Sequence, residues 1–109
     1  MKAINGEELK NRLDAGEDLV VVEALPEEHY RSGHIPGARH LPLEHLDRRA
    51  DSFIRDRHAP VIVYCASEAC QNSQTAAKRL TELGYSDISV YTGGKADWKQ
   101  RGYCLGKPA

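Results

Sequence analysis

The chain is poor in cysteine, balanced in charge and without long apolar runs, and each shortage removes a class of function. Three cysteines, Cys65, Cys70 and Cys104, are an odd number in 109 residues, a length sufficient to bury one core. A disulfide framework is therefore not expected, and a reducing compartment suits the chain better. The 15 lysines and arginines face 16 acidic residues, a formal net charge of −1. No global basic field draws the chain to nucleic acid or to an anionic membrane surface. No segment approaches the length of a membrane span, and Asn5-Gly6-Glu7-Glu8 turns the amino terminus polar before any apolar signal core can form. Repeats, linkers and low-complexity stretches are absent as well. The expectation is a single cytoplasmic domain over residues 1–109, with function confined to one compact site. The histidines His29, His34, His40, His45 and His58 show no ligand spacing with a cysteine or carboxylate, so no metal site is read.

What is present alternates between two periodicities. Asn5-Gly6-Glu7-Glu8 has capping-box spacing, with Leu9 and Leu13 on one helical face and Gly16 as a stop. Residues 19–22 are a β-branched run that predicts a buried strand ending at Glu23. Residues 27–32 form a short helix closed by Gly33, and His34-Ile35-Pro36-Gly37-Ala38 is a stiff turn into a brief strand over 39–41. Leu43 and Leu46 recur at helical spacing among charges, and Arg48, Arg49, Arg55 and Arg57 read as solvated faces. A strand over 60–64 follows. Residues 73–83 are the clearest helix, with Ala76, Ala77, Leu80 and Leu83 on one face and Gly84 past its end. A strand over 87–91, a turn at Thr92-Gly93-Gly94 and a helix over 95–101 carrying Trp98 inward complete the pattern, and residues 103–109 read as a tail. Strands alternating with helices imply an α/β fold with a mostly parallel central sheet.

Val61-Ile62-Val63-Tyr64-Cys65-Ala66-Ser67-Glu68-Ala69-Cys70-Gln71-Asn72-Ser73 delivers a cysteine from a buried strand to a short loop before a helix. A thiol there meets the unpaired N–H groups of the helix amino terminus, which favour negative charge, so a nucleophilic thiolate is expected at Cys65. Ala66, Ser67 and Ala69 are small enough for a backbone curl. N–H groups from Ala66, Ser67, Glu68, Ala69, Cys70, Gln71 and Asn72 would then form an anion-binding nest for substrate. Ser73 is expected to cap the helix and donate to the loop.

Two further stretches, Tyr30-Arg31-Ser32-Gly33-His34-Ile35-Pro36-Gly37-Ala38-Arg39-His40-Leu41-Pro42 and Tyr91-Thr92-Gly93-Gly94-Lys95-Ala96-Asp97-Trp98, complete a pattern. With the cysteine loop between them, they resemble the signatures of the rhodanese-like family, in its order and spacing, over residues 3–104. The resemblance implies a three-layer α/β fold and a sulfurtransferase. Cys65 would carry sulfur as a persulfide, moving a sulfane sulfur from thiosulfate, a persulfide or a polysulfide to a thiol, cyanide or a protein acceptor. No metal or organic cofactor is required.

The loop also departs from that family. Asn72 stands where short rhodanese loops place an arginine, and Ser73, eight positions after Cys65, makes the loop longer than the common form. Glu68 adds a carboxylate, which opposes ionisation of the thiol and repels a dianion. The usual Asp-x-Arg after the second strand reads Glu23-Ala24-Leu25. A persulfide or polysulfide therefore competes with thiosulfate as donor. Cys70, five positions after Cys65, is read either as a small loop residue or as a resolving thiol that closes a disulfide with Cys65. Glu23 is read as the partner of a surface arginine or as a group orienting the loop. Asp97 is read as a capping or surface group, His34 as locally bonded and Cys104 as incidental. A phosphatase or arsenate reductase cradle requires an arginine six positions after Cys65, where Gln71 stands. A thiol-redox or sulfur-relay protein using Cys65 and Cys70 stays open. A non-enzymatic binding module is the remaining alternative, although such modules typically lose the cysteine that this chain keeps.

Overall fold

The computed structural model describes residues 1–107. Five parallel strands form one sheet in the order β1-β5-β4-β2-β3, with β1 at Lys2–Ala3, β2 at Val20–Glu23, β3 at Arg39–His40, β4 at Val61–Tyr64 and β5 at Ile88–Tyr91. Helices α1 (Gly6–Asp14), α2 (Glu27–Ser32), α3 (Leu46–Phe53), α4 (Asn72–Glu82) and α5 (Gly94–Gln100) alternate with them, and a 3₁₀ turn at Leu43–His45 leads into α3. The central register pairs Val20 with Val61 and Glu23 with Tyr64, and on the other side of β4 pairs Tyr64 with Tyr91. The carboxyl ends of β2, β4 and β5 therefore stand level, the edge at which parallel α/β sheets bind ligands.

Side-chain alternation along the strands builds the layers. Val61 and Val63 of β4, with Val22 and Val90, join Leu46, Ala50, Ala76, Ala77 and Leu80 from α3 and α4 in one core. Ile62 and Tyr64, with Val21 and Tyr91, join Leu9 of α1 and Trp98 of α5 in the other. Burial on both faces explains why β4 is an uninterrupted apolar run. Trp98 is core, as its spacing predicts.

The start of α1 follows the sequence signal: Asn5 accepts from the Glu8 N–H at 2.8 Å, and Glu8 reaches back to the Asn5 N–H. Three local expectations change. Strand β1 has no counterpart in the sequence reading, because its two exposed residues carry no alternation. Helix α4 begins at Asn72, with Gln71 at its cap position and no side-chain cap, so Ser73 lies inside the first turn and caps nothing. The segment read as a tail is bound to the body as far as Gly106. Trp98 donates to the Cys104 carbonyl at 3.0 Å, His34 and Gly106 exchange backbone hydrogen bonds, and Tyr103 packs edge-on against Trp98. Residues 108 and 109 lie outside the described residues. No helix among the described residues is long and apolar enough to cross a membrane.

Candidate active site

Cys65 is the first residue beyond β4, and residues 66–71 loop from it to the amino terminus of α4. Its side chain is buried, 1% exposed, and its thiol donates to the Cys70 carbonyl at 3.3 Å and to Ser73 Oγ at 3.4 Å. Freed from capping, Ser73 turns its hydroxyl and its backbone N–H toward the Cys65 sulfur. A tight turn, closed by Cys70 N–H on the Ser67 carbonyl at 3.1 Å, folds Cys70 back over Cys65. The two thiols influence each other's ionisation, and the backbone N–H groups of Ala66 and Asn72 act on the Cys70 sulfur.

This arrangement divides the two thiols electrostatically. Burial, reinforced by the contact with Cys70, raises Cys65 above the ordinary thiol value, and Ser73 only partly offsets it. At Cys70, desolvation acts upward but is outweighed by the hydrogen bond from Cys65 and the N–H groups of Asn72 and Ala66, so the thiol is lowered. Of the two thiols Cys70 is thus the more acidic. Of the residues expected to cradle the substrate, Ala66 and Asn72 aim their N–H groups at Cys70, and the Asn72 amide donates to the Ala24 carbonyl at 3.1 Å, tying the loop to the end of β2. Glu68, Ala69 and Gln71 are exposed, and Ser67 is half-buried.

Helix α5 supports the loop from beneath. The N–H groups of Lys95 and Ala96 donate to the carbonyls of Cys65 and Ala66 at 3.0 and 2.9 Å. Contact this close is why Gly94 precedes them: its φ is +62°, and an added Cβ would clash with the Cys65 carbonyl oxygen and sit 3.0 Å from the Ala66 carbonyl carbon. Gly94→Ala is expected to cost about 2 kcal/mol or more and to slow the reactions of Cys65. Chemical denaturation and a thiol-alkylation rate measure the two effects.

Beneath Cys65 lies a buried polar network that sequence reasoning missed. Glu23, fully buried, accepts from Tyr64 Oη at 2.6 Å and has Lys95 Nζ at 3.1 Å from its other oxygen. That second oxygen accepts no well-aligned hydrogen bond among the described residues, so its contact with Lys95 is chiefly ionic. Lys95 also donates to the His29 carbonyl, and Tyr64 Oη accepts from the Ile35 N–H at 3.0 Å. Desolvation and the neighbouring Glu23 charge raise the Tyr64 phenol strongly, so it stays a donor. The reading of Glu23 as the partner of a surface arginine is corrected: its partner is a buried lysine. The signal available was a carboxylate closing a run buried on both faces, where an ion must find a counter-ion.

The remaining candidates are structural. His34 stacks on Tyr30 at 3.9 Å and its Nδ1 lies 3.0 Å from the Tyr30 carbonyl, the local bonding that was expected. Asp97 accepts from Tyr91 and Arg101 rather than capping a helix. Cys104 is exposed. No group of three or more potential metal ligands is assembled among the described residues.

The sequence profile of the Rhodanese-like domain family matches residues 5–101. The chain belongs to the rhodanese-like family. The chain is 40% identical, over 82 residues, to a protein of Pseudomonas fluorescens named thiosulfate sulfurtransferase GlpE, covering 73% of this chain and 70% of that one. It is 31% identical over 100 residues to the HTH-type transcriptional regulator Rv0324 of Mycobacterium tuberculosis, covering 92% of this chain. It spans only 42% of that regulator, and 49% of a further relative named a putative sulfur carrier protein. The crystal structure of a rhodanese-like domain protein from Staphylococcus aureus superposes with a TM-score of 0.84 at 26% identity, each chain covered in full. The α/β fold with its parallel central sheet and membership of the rhodanese-like family are thereby established.

Proposed function

We propose that this chain is a sulfurtransferase in which Cys65 accepts a sulfane sulfur and passes it to a thiol, cyanide or a protein acceptor. The observation that carries this reading is the placement of Cys65 at the carboxyl end of β4 with the Ser73 N–H and hydroxyl on its sulfur. Attack by the Cys65 thiolate on the outer sulfur of thiosulfate forms the Cys65 persulfide and expels sulfite, with the bonding electron pair leaving on sulfite. An acceptor thiolate then takes the outer sulfur and returns the Cys65 thiolate, giving ping-pong kinetics. Ser73 can turn its hydroxyl to donate to the charged sulfur in both steps, and Ala66 and Asn72 supply N–H groups at the mouth of the loop. The names carried by relatives support the reaction class, and a reducing cytoplasm suits a site built on free thiols.

Residues 65–73 contain no cation and include the exposed Glu68. A hydropersulfide or polysulfide, which places less negative charge near Glu68 than thiosulfate does, is the favoured donor. Glu68→Gln is expected to speed sulfur uptake from thiosulfate about fivefold, the equivalent of about 1 kcal/mol of screened repulsion, and to change uptake from polysulfide less. Initial rates with each donor at low ionic strength measure the difference. The reading as a whole is tested by intact mass after incubation with thiosulfate or polysulfide. One added sulfur atom is expected, and a chain modified by neither donor overturns the proposal in favour of a binding module.

A further inference from the structure

The second thiol of the loop is not used by the two-step transfer. Cys70 is half-buried, and its carbonyl lies 3.3 Å from the Cys65 sulfur. The intervening Ser67–Cys70 turn is already closed by a backbone hydrogen bond, so bringing the two sulfurs to bonding distance requires adjustment of one short loop. In a Cys65 persulfide an external acceptor meets the outer sulfur before the inner one, because Cys65 is itself 1% exposed. The inner atom, Cys65 Sγ, is shielded from solvent and faces Cys70 from within the loop.

We propose that Cys70 is a resolving residue that attacks Cys65 Sγ in the persulfide, closing a Cys65–Cys70 disulfide and releasing the transferred sulfur as hydrosulfide. The step rests on the sulfurtransferase reading, since it consumes the persulfide that reading forms. The Cys70 thiolate donates its electron pair to Cys65 Sγ, the sulfur–sulfur bond of the persulfide breaks, and the outer sulfur leaves with both bonding electrons and a proton as HS⁻. The two cysteine sulfurs are oxidised by two electrons in total, and the sulfane sulfur is reduced by two. A dithiol reductant, small or protein-borne, is then required to reopen the disulfide before the next turnover. Two features favour the step. The backbone N–H groups of Asn72 and Ala66 act to lower the Cys70 thiol, which favours its thiolate as the attacking form. Its position within the loop also makes the attack intramolecular, where effective molarities reach about 10⁵ M or more.

The test loads the wild-type chain and the Cys70→Ser and Cys70→Ala variants with polysulfide, removes the donor, and follows intact mass and released sulfide with no thiol added. Wild type is expected to release about one sulfide per chain and to end two hydrogens lighter than the reduced protein, with peptide mapping joining Cys65 to Cys70. Dithiothreitol is expected to restore the free dithiol. The variants are expected to keep the persulfide at least about tenfold longer. A wild-type chain that loads sulfur and holds it as long as the variants overturns this inference and leaves the sulfurtransferase reading intact. Absence of loading in all three proteins overturns both. The wild-type mass and disulfide map stand on their own should a variant fail to fold.

Discussion

Cys65→Ser is expected to lose sulfur uptake entirely while keeping the fold. Oxygen is smaller than sulfur, and a serine hydroxyl can still donate to the Cys70 carbonyl and to Ser73, the two partners of the native thiol. Neither core is opened, so a midpoint of denaturation close to wild type is expected, within about 0.5–1 kcal/mol. The chemistry fails because a neutral hydroxyl with no base beside it does not attack sulfur and cannot store it as a persulfide. Intact mass after donor treatment should show no added sulfur in this variant. Retention of wild-type uptake would make Cys70 the acceptor and remove Cys65 from the proposal. In the wild type, uptake is expected to depend on the first proton lost by the thiol pair. Cys70 is lowered and Cys65 raised around the ordinary value of 9.0, so that proton leaves below pH 9 and the Cys65 proton can pass to Cys70 as attack begins. The rate of uptake should therefore climb about tenfold per pH unit below the first ionisation and level off above it. A rate that falls as pH rises would contradict the assignment.

Lys95→Met is expected to cost about 3–5 kcal/mol of stability, a large share of what a domain of this size possesses. Glu23 is fully buried and Lys95 nearly so, and the pair spans the ends of β2 and α5. Removing the ammonium leaves a carboxylate out of water with only the Tyr64 hydroxyl to stabilise it. Glu23→Gln combined with Lys95→Met removes both charges and keeps an acceptor for Tyr64, so the double variant should recover most of the loss. Urea denaturation of wild type, the single variant and the double variant measures the coupling. A single-variant loss below about 1 kcal/mol would mean that solvent reaches Glu23 and that the pair behaves like a surface ion pair. The pair bears on function through geometry: Tyr64 is the residue before Cys65, and the Lys95 N–H holds the Cys65 carbonyl at 3.0 Å. Sulfur uptake in the double variant separates the two roles, since a restored fold with slowed uptake identifies the Glu23–Lys95 ion pair as a positioning element for the loop.

The reading of β4 and its loop shows how much the sequence carried. A β-branched run buried on both faces can be recognised locally, because its neighbours impose the same demand on every residue, and Val61–Tyr64 meets it. The placement of Cys65 at the sheet edge follows from that strand alone. Ser73 shows the opposite case. Its spacing suits a cap, yet the helix begins one residue before it, and its side chain is drawn to the cysteine sulfur instead. A shift of one residue at a helix start is within the range that local pattern leaves open, and here it changes what the side chain does. Cys104 and Gly106 were read as tail because they lack periodicity, but their backbone groups hydrogen-bond Trp98 and His34, contacts that no pattern within residues 103–107 announces.

By itself the sequence determined the alternation of parallel strands and helices, the family and the candidate nucleophile. Each depends on local hydrophobic period or on a contiguous motif. Only the tertiary structure decided which thiol is the more acidic, because that depends on which groups the loop turns toward Cys70 and which toward Cys65. It also decided the partner of Glu23. Glu23 and Lys95 are separated by most of the chain, and no local pattern pairs them. They meet because parallel pairing sets the ends of β2, β4 and β5 level and brings the start of α5 against them, where burial obliges the carboxylate to find a cation.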